Sequence, residues 1–227
     1  MSNLEQMIDD SRFGDAPLRV RLQRLKEKID TAYPEFAAAM AVFVARLEAA
    51  SAGSGIPHVG ERMPNFMLTD ENGHLVNLEE LLVTAPVVVT FHRGHWCPYC
   101  RLSVESLART QPKLAHVQII AISGDKPRYS KILKAEAKAD FPLLTDLDLG
   151  YALSLNLAIW LDDTTAGYIA ASGFDIAAYQ GNPNWILPIP AVFAVSQDGI
   201  IRARHIDPDY RRRLDMEDLV EMSHLLR

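Results

Sequence analysis

Cys97 and Cys100 are the two cysteines of this 227-residue chain, three positions apart in Phe91-His92-Arg93-Gly94-His95-Trp96-Cys97-Pro98-Tyr99-Cys100. Two thiols at this spacing can open and close a disulfide within one turnover, provided one sulfur is available as the thiolate. If Pro98 opens a helix, Cys97 takes its N-cap or first position. Unpaired N–H groups and the positive end of the helix dipole then favour the thiolate. The pKa of Cys97 is therefore expected below the usual value of roughly 8.5. Cys100, one turn further on, is expected to be more buried and less acidic. Cys97 attacks and Cys100 resolves. Arg93, His92 and His95 add nearby positive potential, and Trp96 and Pro98 stiffen the loop. Two other chemistries draw on the same residues. One is a structural disulfide, although two cysteines in so long a chain do not make a disulfide scaffold. The other is zinc held by His92, His95, Cys97 and Cys100, for which one short segment closes a tetrahedron awkwardly. The protein is expected to carry neither a metal nor a cofactor.

The elements that must hold this pair are legible around it. Val87-Val88-Val89-Thr90-Phe91 is an apolar, β-branched run, as in a strand buried on both faces. Residues 98–114 read as a helix that Pro112 kinks or ends. Val117 to Ile122 is a second buried strand, Pro127 to Ala139 an amphipathic helix, and 141–144 a short strand followed by a short helix over 147–155. Residues 66–68 and 74–76 flank Asp70-Glu71-Asn72-Gly73, a hairpin signal. Residues 191–195 and 200–206 form a second hairpin about Gln197-Asp198-Gly199. Asp215 is expected to cap a last helix, with Asp218 at the capping-box position. Residues 158–185 read as an irregular insertion in which Trp185 could line the site. Pro190, at the first residue of a strand, needs a position without a ladder donor, and a cis Ile189–Pro190 bond would supply one. Asp207 to Tyr210 reads as a turn and Arg211-Arg212-Arg213 as a solvated basic patch.

Before this region the texture differs. Leu18, Leu22, Leu25 and Ile29 form one helical stripe, and Phe36, Met40, Phe43, Val44 and Leu47 another. Residues 1–55 are therefore read as a helical extension and 56–227 as the redox domain. The extension packs on that domain or on a second subunit, which would make a homodimer. The β-α-β-α order followed by a hairpin and a helix predicts an α/β three-layer sandwich, a mixed sheet flanked by helices. Composition is ordinary for a globular chain: 48% hydrophobic, 23% charged, net charge −6. It offers no basic surface for nucleic acid, no membrane span and no signal-peptide layout at the start, so the cytoplasm is the expected compartment.

These residues resemble the thioredoxin-fold superfamily and, within it, the peroxiredoxin (AhpC/TSA) branch. Val59 to Leu68 is similar to that branch's G-x-x-x-P-x-F-x-L motif. Ala121-Ile122-Ser123-Gly124-Asp125, Phe141 to Asp146, and Pro190 to Phe193 with Asp198 to Arg202 resemble later segments of it. Phe91 to Cys100 and His205 to Leu214 resemble a peroxiredoxin-like subgroup with F-Y-R-G-x-W-C-P-Y-C and a late H-x-D-P-D-Y-x-x-R-L. The resemblance implies a thiol peroxidase. Cys97 takes oxygen from hydrogen peroxide or an organic hydroperoxide as a sulfenic acid, Cys100 closes the disulfide, and thioredoxin or another dithiol reopens it. The sequence departs from the family's P-x-x-x-T-x-x-C, with Thr90 at the Pro position and Gly94 at the Thr position. Pro190 stands where the family has an Arg, which is the thioredoxin-like choice and leaves Arg93 as the substitute cation. The alternative implied is a thiol–disulfide oxidoreductase acting on protein or small-molecule disulfides.

Overall fold

The computed structural model describes residues 2–12 and 16–227. Three helices come first: α1 (Ser2–Arg12), α2 (Leu18–Ala32) and α3 (Pro34–Ala49). Pro34 opens α3 at its first position, where its missing N–H has no helical partner to lose. The stripe Leu18, Leu22, Leu25, Ile29 is buried, as are Met40, Phe43, Val44 and Leu47. Both stripes face one apolar cluster that also holds Trp96, Cys97, Tyr99 and Cys100. The extension therefore packs directly over the cysteine pair. Arg21, buried where α2 meets the helix that follows Cys97, fastens it by donating to the Ser11 carbonyl (3.0 Å), the Ser106 hydroxyl (2.9 Å) and Glu105 (3.2 Å).

The remainder is β1 (Met67–Thr69), β2 (Leu75–Asn77), α4 (Leu78–Thr84), β3 (Val87–Phe91), α5 (Pro98–Thr110), β4 (Gln118–Ser123), α6 (Pro127–Ala137), β5 (Leu143–Thr145), α7 (Gly150–Ser154), β6 (Ala158–Trp160), α8 (Asp163–Ala171), α9 (Ile176–Gln180), β7 (Ile186–Pro188), β8 (Ala191–Val195), β9 (Ile201–Ile206) and α10 (Met216–His224). The main sheet has the order β2-β1-β5-β4-β3-β8-β9. β3, β4 and β5 run parallel at its centre, and the hairpins β1–β2 and β8–β9 close its edges antiparallel. Central strands alternate between two cores because side chains alternate between faces. Val87, Val89, Phe91, Ile120 and Ile122 face α4 and α7, while Val88, Ile119 and Ala121 face α5, α6 and α10. This is the expected mixed α/β architecture.

Three local expectations are corrected. Residues 158–185 are not irregular: they hold α8, α9 and β6, which pairs with β7 in a separate two-stranded sheet. The helices are short and carry little amphipathic signal, and side-chain caps start them. Asp162 accepts from the Thr165 N–H and Asp175 from the Ala178 N–H, both at 2.9 Å. Asp215 stands at the N-cap of α10 but makes no capping hydrogen bond, because its carboxylate is taken by Arg19 of α2. Among the described residues no peptide bond is cis, so Ile189–Pro190 is trans. Among the described residues no helix is long and apolar enough to cross a membrane.

Candidate active site

β3 delivers the chain to His92, and α5 begins at Pro98 with Cys97 at its N-cap (φ −86°, ψ 114°). The connecting loop is folded down onto Asp125, at the end of β4. The His95 N–H donates to Asp125 Oδ2 at 2.6 Å. Gly94 has φ +126°, and a Cβ there would lie 2.4 Å from Asp125 Oδ1. No side chain fits that approach, which explains why the position matched to the family's Thr is glycine. Asp125 is fully buried and its Oδ1 has no hydrogen-bond partner. Burial pushes its carboxyl up to about 7, with the His95 N–H opposing and the charge of Cys100 assisting.

The thiols differ from expectation. Both are buried, at 1% and 0% exposure, so Cys100 is not the distinctly deeper one, and both are reduced. Cys97 accepts no capping N–H. Burial pushes its thiol well above the ordinary range, as does its hydrogen bond to Cys100. Cys100 Sγ instead accepts the Arg93 N–H at 3.3 Å and faces Arg213 Nη2 at 3.5 Å. Burial opposes its charge, but the Cys97 hydrogen bond, Arg213, His92 and the Arg93 N–H together hold it well below the ordinary range. The groups around the pair thus favour a thiolate at Cys100 over one at Cys97. The helix start by itself predicts the reverse. The reason is geometric: one turn of helix carries Cys100 back under the loop's donors, while Cys97 faces an apolar space.

That space is a cavity of about 140 Å³. Arg93, Trp96, Cys97 and Pro98 line it, whereas Cys100 and Pro190 do not. Arg93 is 2% exposed, its guanidinium lying 4.1 Å from the Tyr210 ring centre and 5.1 Å from that of Trp96. The Trp96 indole N–H donates to the Arg93 carbonyl at 2.9 Å, which locks the ring in place. Arg93 Nε and Nη2 have no hydrogen-bond partner. A buried cation balanced by aromatic faces rather than a carboxylate stays available to an anion. Pro190 lies elsewhere, lining a smaller cavity of about 50 Å³ with His92, His205 and Arg213 on the Cys100 side. His92 is buried there with neither ring nitrogen hydrogen-bonded. Burial pushes its pKa down to about 4, with Arg213 and His95 assisting and Cys100 opposing.

Three further groups belong to the site that the sequence reading left outside it. Tyr210 lines the Cys97 cavity and packs edge-on against Tyr99 at 5.4 Å. Arg213 is no solvated patch residue but reaches Cys100. Asp125 supports the loop. The late His205-to-Leu214 pattern was the signal for the first two, and its spacing says nothing of where β9 returns the chain. Trp185 is half-buried in the same apolar cluster but does not line the cavity. Among the described residues no three His, Cys, Asp or Glu side chains converge as metal ligands.

A central β3-β4-β5 sheet closed by an antiparallel hairpin, with a C-x-x-C at the start of the first flanking helix, defines a thioredoxin-fold protein of the peroxiredoxin kind. The AhpC/TSA family model matches residues 59–204, and the chain belongs to that family. Peroxiredoxin Q, chloroplastic, of Oryza sativa subsp. japonica is 34% identical over 89 residues, 38% of this chain. The match spans 41% of that relative's length. Among solved structures, peroxidoxin BcpB from Mycobacterium tuberculosis superposes with a TM-score of 0.58 at 18% identity, over 74% of this chain and 97% of the other. A peroxiredoxin-like protein from Aquifex aeolicus gives 0.58 at 13% identity, over 75% and 88%. At these identities the structures speak for the fold alone.

Proposed function

We propose that this protein is a thiol peroxidase in which Cys97 is the attacking and Cys100 the resolving residue. The observation that carries the reading is that Cys97, not Cys100, opens to the cavity, beside the unpartnered guanidinium of Arg93. When a hydroperoxide arrives, the Cys97 proton passes to the Cys100 thiolate. The Cys97 thiolate attacks the terminal peroxide oxygen, the S–O bond forms and the O–O bond breaks. Charge developing on the leaving oxygen faces Arg93, which serves where the family's guanidinium is replaced by Pro190. The leaving alkoxide or hydroxide takes a proton from water. Cys100 sulfur then attacks the sulfenic sulfur of Cys97, and hydroxide departs with the Cys100 proton as water. Thioredoxin or a similar dithiol reduces the disulfide in a reducing compartment such as the cytoplasm, and a homodimer is the expected assembly.

The disulfide-oxidoreductase alternative has less support, because both sulfurs are buried, at 1% and 0% exposure, in an apolar cluster that includes residues of α1–α3, α8 and α9. Stopped-flow oxidation of the reduced protein, followed by Trp96 fluorescence, tests the proposal. Cys97→Ser is expected to abolish the response. Cys100→Ser is expected to stop at a sulfenic acid that dimedone traps. A rate constant no greater than that of a free thiolate with every peroxide tried sinks the reading.

A further inference from the structure

The walls of the Cys97 cavity come largely from outside the family segment. Leu4 and Ile8 of α1, Ile29 of α2, and Phe36 and Met40 of α3 form one side, all before residue 59. Ile169 of α8 and Phe174 close the other. Above this apolar lining the mouth is polar. Arg101 binds Glu5 of α1 at 2.7 Å and Glu136 of α6 at 3.1 Å, and His95 Nε2 lies 3.3 Å from Glu136. The floor carries Cys97 and the unpartnered Arg93.

We infer that the N-terminal helices and the α8–α9 segment form a substrate pocket for compact apolar organic hydroperoxides, with one aromatic ring or a short branched chain. This rests on the peroxidase reading above and adds the substrate class. Three observations carry it. The cavity, about 140 Å³, matches the size at which an apolar protein cavity accepts a benzene-sized guest. The Leu, Ile, Phe and Met side chains of its inner walls favour an apolar guest over hydrogen peroxide, a small polar molecule. Arg93 and Cys97 sit together at that floor, so a guest with its apolar body against Phe36, Met40 and Phe174 presents its hydroperoxide end to the sulfur. The extension is then a specificity-determining part of the active site.

The test compares kcat/KM for cumene hydroperoxide and hydrogen peroxide on the full chain, with calorimetric titration by cumyl alcohol, the unreactive product. The wild type is expected to prefer cumene hydroperoxide roughly ten- to hundredfold, which is what burying an aromatic ring is worth. Leu4→Trp and Phe36→Trp, each projecting a larger ring into the cavity, are expected to cut that preference at least tenfold and to abolish cumyl alcohol binding. Thermal melts confirm that the variants fold. Rapid turnover of hydrogen peroxide with no organic preference, and a ratio unmoved by both variants, overturns this inference and leaves the peroxidase standing. If neither peroxide outpaces a free thiolate, the peroxidase reading falls, and saturable cumyl alcohol binding lost in Leu4→Trp would still support the pocket.

Discussion

Replacing His92 by Leu should make the protein more stable at neutral pH and change how its stability depends on acid. The imidazole is buried with both nitrogens unpartnered. Replacing such a group by an apolar one of similar size removes a desolvation penalty of about 1–3 kcal/mol. The acid response follows from linkage. In the folded protein the His92 pKa is about 4, against an ordinary 6.5. The folded state thus favours the neutral ring, and this contribution is present above pH 6.5 and lost as pH falls toward 4. At about 1.4 kcal/mol per pH unit, wild type loses about 2.5 kcal/mol between pH 7.5 and 4.5 through this residue. Asp125 acts oppositely. Its folded pKa of about 7 lies above the ordinary 3.8. Its contribution is present below pH 3.8 and lost as pH rises through 7, so acidification over the same range adds about 3 kcal/mol. The two nearly cancel in the wild type. Urea titrations at pH 7.5 and 4.5 on wild type, His92→Leu and Asp125→Asn read this directly. Relative to wild type, His92→Leu should gain about 2.5 kcal/mol on acidification and Asp125→Asn should lose about 3 kcal/mol. Other titrating groups contribute equally and drop out of each difference. Parallel pH dependences in all three proteins would refute the argument.

Gly94→Ala combines a left-handed backbone with a Cβ driven into the Asp125 carboxylate. It should lower stability by about 3 kcal/mol or more, read as a drop in Tm, with part recovered in Gly94→Ala/Asp125→Ala. A Tm within one or two degrees of wild type would show that the loop does not rest on Asp125. Arg213→Met removes the 3.5 Å cation from Cys100. Thiolate absorbance near 240 nm should then titrate upward by about one pH unit or more, and an unchanged curve removes Arg213 from the site. Leu25→Ala, at a fully buried position of α2, should cost about 3–4 kcal/mol in urea unfolding. A loss under 1 kcal/mol would mean the extension is not packed as described.

The central strands were legible because their chemistry is local. Val87 to Phe91 is β-branched and buried on both faces, and that pairing of composition and environment leaves few alternatives. The stripes of α2 and α3 were legible for the same reason, at period 3.6 rather than 2. The segment 158–185 hides its helices because α8 and α9 are short and start on single side-chain caps, and α8 is held by packing against α3, neither of which leaves a periodic signal. Asp215 occupies the residue type and place of a helix cap, yet an arginine 196 positions away claims its carboxylate.

By itself the sequence determined that the two cysteines lie where a buried strand hands over to a helix. It also determined the sheet that holds that junction. The tertiary structure alone decided which sulfur the surrounding donors favour as a thiolate. An N-cap position favours the thiolate of Cys97, but the donors that matter, the Arg93 N–H and Arg213, converge on Cys100 across a loop and 113 residues of chain. It also decided what Cys97 faces. Helices that read only as amphipathic come to rest over the thiol and enclose it, because their apolar stripes and the exposed start of α5 bury one another. Long-range convergence of this kind is not written in spacing.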